Sequence, residues 1–398
     1  MSSGGFSQTR LARMHDVMAG HVERGAVPGM VTLVRRRGEV HVDALGTQAP
    51  GGGPPMQRDT IFRIASLTKP IIAAATMILV EECRLRLDDP VDRLLPELAD
   101  RQVLRRLDGP LDDTVPARRP ISVRDLLTLR MGFGFPMGAS GEPPIVEAAR
   151  ALGVMPGPPQ PQLPPPPDEW IRRLGTLPLM AQPGERWMYP TGFSVLGVLL
   201  ARAAGQPLET VLRERIFEPL GMKDSGFSVP PAALGRLASA YILNPDSGAL
   251  ALYDGVDDSQ WSRPPSFPDA EGGLVSTVND YLAFGQLLLD KGQHGRTRIL
   301  ARPTVEVMTT DQITPEQRAG AEVFLEANRG WGFGVSVITR RDEVAAVPGR
   351  FGWDGGLGTS WYSDPTEGLV AILMTQVLGF PTRIDLDFWT CVYQALDD

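Results

Sequence analysis

Ser66-Leu67-Thr68-Lys69 runs directly into Pro70 and the charge-free, almost wholly apolar stretch Ile71 to Val80. That stretch is too short to cross a bilayer, and its composition calls for burial as a core helix. Proline lacks a backbone N–H and is tolerated only near a helix's first turn, so the helix is predicted to begin at about Ser66. Residues i and i+3 are neighbours on a helix, which brings the Lys69 amine to the Ser66 hydroxyl as a base beside a nucleophile. The serine then stands at the positive end of the helix dipole, where a developing oxyanion is favoured. Taken alone, the tetrapeptide also reads as a helix N-cap serine followed by a solvated lysine. The rest of the chain decides between them.

Periodicity and punctuation set out the organisation. Residues 1–26 read as an amphipathic helix without the apolar core of a secretory signal, so a cytoplasmic protein is expected. Met30 to Val34 and Val40 to Ala44, split by Arg37-Gly38-Glu39, read as a β-hairpin, with Arg35-Arg36-Arg37 as its solvated tip. Gly332 to Thr339, Gly358 to Ser363 and Leu369 to Thr375 read as strands, and Leu386 to Leu396 as a closing helix. Five strands from the two chain ends imply one antiparallel sheet, five-stranded or larger, flanked by helices: an α+β fold. The middle of the chain is mostly helical, including Val123 to Leu129 and Phe193 to Ala204. The expected division is a discontinuous sheet domain (1–87 with 232–398) and a helical domain (88–231), with the active site in the crevice between them. The Pro-rich stretch 141–167 reads as a surface loop, either a flap over the pocket or a connector.

Composition removes several functions. At 398 residues and 42% hydrophobic, the chain can bury a large core. A net charge of −8 without a basic stripe argues against nucleic acid as a partner, and no apolar run is long enough for a membrane span. The four histidines lack H-x-H or H-E-x-x-H spacing and the two cysteines are far apart, so no metal site is expected, and the chemistry calls for no cofactor. Cys83, in the apolar helix, reads as a buried inert thiol. There is no G-x-S-x-G, so an α/β-hydrolase elbow is absent.

Two further segments support the catalytic reading of the tetrapeptide: Pro183-Gly184-Glu185-Arg186-Trp187-Met188-Tyr189-Pro190-Thr191, and Gly352-Trp353-Asp354-Gly355-Gly356-Leu357-Gly358-Thr359. With Ser66 and Lys69, their order and spacing resemble the serine β-lactamase and penicillin-binding-protein superfamily, and within it the class C β-lactamases and family VIII carboxylesterases. That family carries S-x-x-K, then a tyrosine motif, then a glycine motif on a core strand. Ile216-Phe217-Glu218-Pro219-Leu220-Gly221-Met222 and Glu271-Gly272-Gly273-Leu274-Val275-Ser276-Thr277 resemble its framework, and the likeness runs from about Val27 to Trp389.

The resemblance implies acyl transfer through a covalent serine intermediate. Ser66 is the expected nucleophile, Lys69 and Tyr189 share the proton transfers, and the backbone N–H groups of Ser66 and Gly356 hold the oxyanion. Whether Lys69 or Tyr189 is the base stays open. Trp353, Asp354, Gly355 and Thr191 are expected to contact substrate. Where class C enzymes carry Asn in the second motif this chain has Thr191, and where they carry Lys in the third it has Trp353. Loss of that cation removes a charge-assisted contact to a substrate carboxylate, while Trp353 offers an apolar wall to a neutral ester. Asp354 is expected to bring in negative charge that disfavours anionic substrates. A small-molecule ester of short acyl chain is thus the expected substrate. A β-lactam or peptidyl substrate, acyl transfer to another acceptor, amidase activity and binding without turnover are the alternatives. Nothing in the sequence sets the oligomeric state.

Overall fold

The fold is taken from a computed structural model, which describes residues 5–137, 141–244 and 246–397. Residues 1–4 of the expected N-terminal helix lie outside these. The strand Leu369–Thr375 is buried along its whole length, and its alternation sets the architecture. Val370, Ile372 and Met374 enter one core, and Leu369, Ala371 and Leu373 enter another. Continuous apolar sequence therefore marks a strand covered on both faces.

That strand is β7 of a seven-stranded antiparallel sheet. Its other members are β1 (Gly29–Arg36), β2 (Glu39–Gly46), β3 (Arg329–Trp331), β4 (Ser336–Ile338), β5 (Phe351–Gly355) and β6 (Thr359–Asp364). The order across the sheet is β3-β4-β5-β6-β7-β1-β2. The two chain ends meet at β1 and β7, in a register running from Met30 opposite Thr375 to Arg36 opposite Leu369.

Helix α1 (Gln8–Glu23) buries Leu11, Met14, Met18 and His21, a spacing of three and four that makes one apolar stripe. It packs with the closing helix α5 (Ile384–Gln394) over one face of the sheet. His21 is held there between Thr382 Oγ1 (2.9 Å) and Asp387 Oδ2 (2.8 Å). The other face receives α4 (Val278–Leu289), which lies against β6 and β7. A side chain at Gly285 would overlap the Trp361 ring, so glycine is what lets α4 approach that closely. The larger core on this side also contains α2 (Thr68–Glu81) and α3 (Gly192–Ala204), which pack on each other. Among the described residues no single helix is long and apolar enough to cross a membrane.

Four local expectations are corrected. The strand expected over Gly332 to Thr339 shrinks to β4, which starts at Ser336, because Gly332 N–H bonds back to the Val335 carbonyl and turns the chain between β3, ending at Trp331, and β4. Phe351–Gly355, which periodicity does not mark, is the third strand across the sheet, in keeping with the core strand that the resemblance implies for the glycine motif. Arg36 is buried rather than solvated, its guanidinium bonded to the Glu367 carbonyl (2.9 Å) and carboxylate (3.0 Å). The Pro-rich stretch contains a helix, Pro144–Ala151, since proline at a first helical position removes only an N–H that has no intrahelical partner anyway. Cys83 is exposed. It follows the end of α2 in the left-handed region (φ 58), while Cys83 N–H and Arg84 N–H bond to the Val80 and Leu79 carbonyls in a Schellman closure.

Arg63, three residues before Ser66, is buried and forms an ion pair with Asp254. Its guanidinium also meets Ser259 Oγ at 3.1 Å, and Asp254 accepts bonds from Ser259 Oγ (2.7 Å) and Gln260 N (2.9 Å). Burial pushes the Arg63 pKa down and Asp254 opposes that shift. Removing one charge of such a pair leaves the other uncompensated in a dry interior. Asp254→Asn is therefore expected to lower the unfolding free energy by about 3 kcal/mol, read as a lower midpoint in chemical denaturation.

Candidate active site

Ser66 lies in a 3-10 turn, Ala65–Leu67, immediately ahead of α2. Ala65 holds a left-handed φ of 43, a conformation that costs a non-glycine residue on the order of 1–2 kcal/mol. The surroundings fix it there: Ile64 N–H donates to the Leu274 carbonyl (3.0 Å), and Thr359 Oγ1 donates to the Ile64 carbonyl (3.0 Å). The β5 backbone presses on the same carbonyl, and any side chain at Gly355 would overlap Ile64 O and Thr359 Oγ1.

Lys69 is fully buried. Its ammonium nitrogen lies 2.9 Å from Ser66 Oγ, 3.0 Å from Tyr189 OH and 2.6 Å from the Glu271 carbonyl oxygen. The buried nitrogen thus has a hydrogen-bonding oxygen in each of three directions. Tyr189 OH and Ser66 Oγ share a short hydrogen bond, and Trp353 Nε1 donates to Tyr189 OH at 3.3 Å. The Tyr189 ring stacks on Phe324 (4.6 Å) and Trp187 (5.5 Å), which fixes the phenol's direction. The Ser66 hydroxyl thus has an amine and a phenol in direct hydrogen-bond reach, the arrangement a serine nucleophile requires.

Ser66, Tyr189, Trp353, Gly355 and Gly356 line one cavity of about 520 Å³. Phe135, Phe324 and Leu378 contribute apolar wall, and Gly157 to Pro159 of the Pro-rich stretch contribute one side. Alternation along β5 sends Trp353 to the face shared with Trp331 (4.7 Å, edge-on) and Tyr189, and Asp354 to the opposite face. Asp354 reaches the cavity rim, yet its charge is balanced. It pairs with Arg329 (3.4 Å) and accepts from Ser360 Oγ (2.6 Å) and Tyr362 OH (3.0 Å). Arg329, beside Tyr362 and Asp354, is held well above the usual guanidinium pKa. The expected repulsion of anionic substrates by Asp354 therefore does not follow.

Thr191 is the expected contact that the structure does not bring to Ser66. It has helical dihedrals (φ −53, ψ −28) at the entry to α3, and its side chain turns into a second cavity of about 450 Å³. That cavity lies on the other side of Gly157 to Pro159 and is lined in part by Ser194, Asp269 and Glu271. The residues that sequence reading missed are in this neighbourhood. Glu271, buried, and Asp269, half-buried, are carboxyls beside Lys69, and desolvation pushes both pKa values up, that of Glu271 to about 8 with Asp269 adding to it. The sole sequence signal was an acidic residue directly before the Gly272-Gly273 pair.

The family model described as beta-lactamase matches residues 14–390. Protein Rv1367c of Mycobacterium tuberculosis is 40% identical over 366 residues, covering 89% of this chain and 87% of its own. Esterase EstB of Burkholderia gladioli is 30% identical over 385 residues, covering 92% and 90%. The solved structure of EstCE1, described as a hydrolase with promiscuous acyltransferase activity, superposes with a TM-score of 0.78 at 26% identity, over 97% of this chain and 99% of its own. A nucleophile turn heading a buried helix, set against an antiparallel sheet, thus defines an enzyme of the serine-hydrolase type. The chain belongs to the β-lactamase family.

Gly355→Ala tests the packing behind the Ser66 turn. The added methyl must displace both the Ile64 carbonyl and Thr359 Oγ1, and stability is expected to fall by about 1–3 kcal/mol, read in thermal or chemical unfolding.

Proposed function

We propose that this chain is a carboxylesterase that cleaves short-chain esters through a covalent acyl-Ser66 intermediate. The observation that carries this reading is the mutual hydrogen-bond contact of Ser66 Oγ, Lys69 Nζ and Tyr189 OH at the wall of an apolar cavity. Ser66 Oγ attacks the ester carbonyl as its proton passes to Lys69 or Tyr189, and the N–H groups of Ser66 and Gly356 receive the oxyanion. Tyr189, bonded to both Ser66 and Lys69, returns a proton to the departing alcohol, and water then releases the acid by the reverse path.

Substrate preference rests on Trp353. It stands where a class C β-lactamase would carry a cation for the substrate carboxylate, and it is packed too closely against Trp331 and Tyr189 for a charged group to replace it without loss. A neutral ester fits this wall better than a penicillin or a peptidyl carboxylate. The likeness to EstB and the W-x-G form of the third motif both favour assignment to the family VIII esterases. The walls of the cavity come both from residues 1–87 and 232–398 and from the helical stretch 88–231, which supports the two-part division proposed from the sequence. The second reading is acyl transfer to a small alcohol, favoured by the activity stated for the EstCE1 structure.

The test is hydrolysis of p-nitrophenyl acetate, butyrate and octanoate beside nitrocefin. Fast turnover of the shorter esters, slow nitrocefin cleavage, and a loss of at least about 1,000-fold in Ser66→Ala are expected. Nitrocefin turnover faster than that of the esters would reverse the substrate assignment, and ester turnover that survives Ser66→Ala would remove the nucleophile. Tyr189→Phe retains the ring stack and loses the hydroxyl, so kcat is expected to fall by about 100-fold or more with folding intact.

A further inference from the structure

Beside Lys69, two carboxyl groups, the buried Glu271 and the half-buried Asp269, meet across one hydroxyl. Ser194 Oγ lies 2.8 Å from Asp269 Oδ1 and 2.9 Å from Glu271 Oε2. A serine hydroxyl has a single proton and can donate to only one of them. The other contact is a hydrogen bond only if that carboxyl carries its own proton and donates to the serine. Asp269 Oδ1 also accepts the Glu271 backbone N–H at 3.1 Å, so it takes two donors as an anion does. Glu271 is then the acid: its O–H donates to Ser194, which donates to Asp269. The same residue offers its backbone carbonyl to Lys69 Nζ at 2.6 Å.

Resting on the acyl-Ser66 reading above, we propose that Asp269, Ser194 and Glu271 form a positioning relay for Lys69, in which Glu271 is a neutral carboxylic acid while the site is active. The relay has two effects. It fixes the Glu271 carbonyl that accepts a hydrogen bond from the Lys69 nitrogen, and it limits the negative charge beside Lys69 to one anion. The ionisable groups facing Glu271 are Asp269 of its own loop and Lys69 of α2, with the Tyr189 phenol beyond Lys69. Arg150, on the helix Pro144–Ala151, lines the same second cavity and is paired with Glu142. When Glu271 ionises, its proton leaves to solvent through that cavity, which both carboxyls line.

The sign of the effect follows from the charges. Burial and Asp269 hold Glu271 protonated up to about pH 8, so below that value Lys69 sees one anion, and above it two. A second anion favours the charged ammonium, which cannot accept the Ser66 proton. If Tyr189 is the base instead, the same anion weakens the positive field that stabilises its phenolate. By either route activity falls as Glu271 ionises.

The experiment is the pH profile of phenyl butyrate hydrolysis by the full chain and two variants. The wild type is expected to lose activity on the alkaline side with a midpoint near about 8. Glu271→Gln keeps a donor for Ser194 and cannot ionise, so that loss disappears. Asp269→Asn removes the anion that helps hold the Glu271 proton, so the midpoint moves down by about one pH unit. A purely structural role would lower rates at every pH and leave the midpoint in place, and an unmoved midpoint in both variants overturns the proposal. Infrared difference spectra of wild type minus Glu271→Gln at neutral pH supply a readout independent of turnover. The carbonyl stretch of a protonated acid is expected, and carboxylate bands alone overturn the proposal. If mass spectrometry finds no acyl-Ser66 in the wild type, the esterase reading fails by itself, while the infrared result still decides the state of Glu271.

Discussion

The amine of Lys69 is the group on which the site depends. A fully buried ammonium or amine is tolerated only where each of its protons has an acceptor, and here the three acceptors come from three separate parts of the chain. Ser66 belongs to the same turn, Tyr189 to the segment entering α3, and Glu271 to the loop before the small strand Val275–Ser276. None of these can move without costing the Lys69 nitrogen a hydrogen bond. The lysine therefore acts as a rivet for the elements around it, and the hydrogen-bond geometry of Ser66 and Tyr189 is set by keeping that nitrogen satisfied.

The sheet supplies the other half of the precision. The pleat of β5 separates two adjacent residues with opposite tasks: Trp353 faces the tyrosine and the apolar pocket, while Asp354 is drawn off into a set of polar bonds with Arg329, Ser360 and Tyr362. The glycine that follows lets the strand press on Ile64, which holds Ala65 in its left-handed conformation and so aims Ser66. Strain at one residue is carried by a framework of strand, turn and the buried pair of Arg63 with Asp254 just upstream.

What could be read from the sequence was whatever left a periodic or compositional trace. α2, the first hairpin and β7 were legible because burial on one or both faces imposes a repeat of 3.6, 2 or none at all, and Ser66, Lys69 and Tyr189 were legible because their spacing repeats a known pattern. Phe351–Gly355 was not found by pattern, since two of its five residues are glycine and one is charged. Arg36 and Cys83 were misread for opposite reasons. A buried guanidinium is paid for by a carboxylate 331 residues away, and the apolar helix ends at Glu81, two residues before Cys83. Thr191 was placed by homology of position, but the turn into α3 rotates its side chain away from the substrate cavity. The Asp269 and Glu271 pair was invisible because only folding brings Ser194 between them.

The meeting of β1 with β7 has a consequence for how the molecule comes into being. Met30 waits for Thr375, so this seam of the sheet closes only after all the residues between them have been made. Closing so long a loop is slow compared with forming helices or the first hairpin, which need only neighbours in sequence. Until then the β1 edge and its apolar residues stay open to any passing strand, and the nascent chain is at its most prone to association. Because Thr359 and Gly355, which brace the Ser66 turn, belong to the same late-arriving segment, the left-handed conformation of Ala65 is held in place only once that segment has docked.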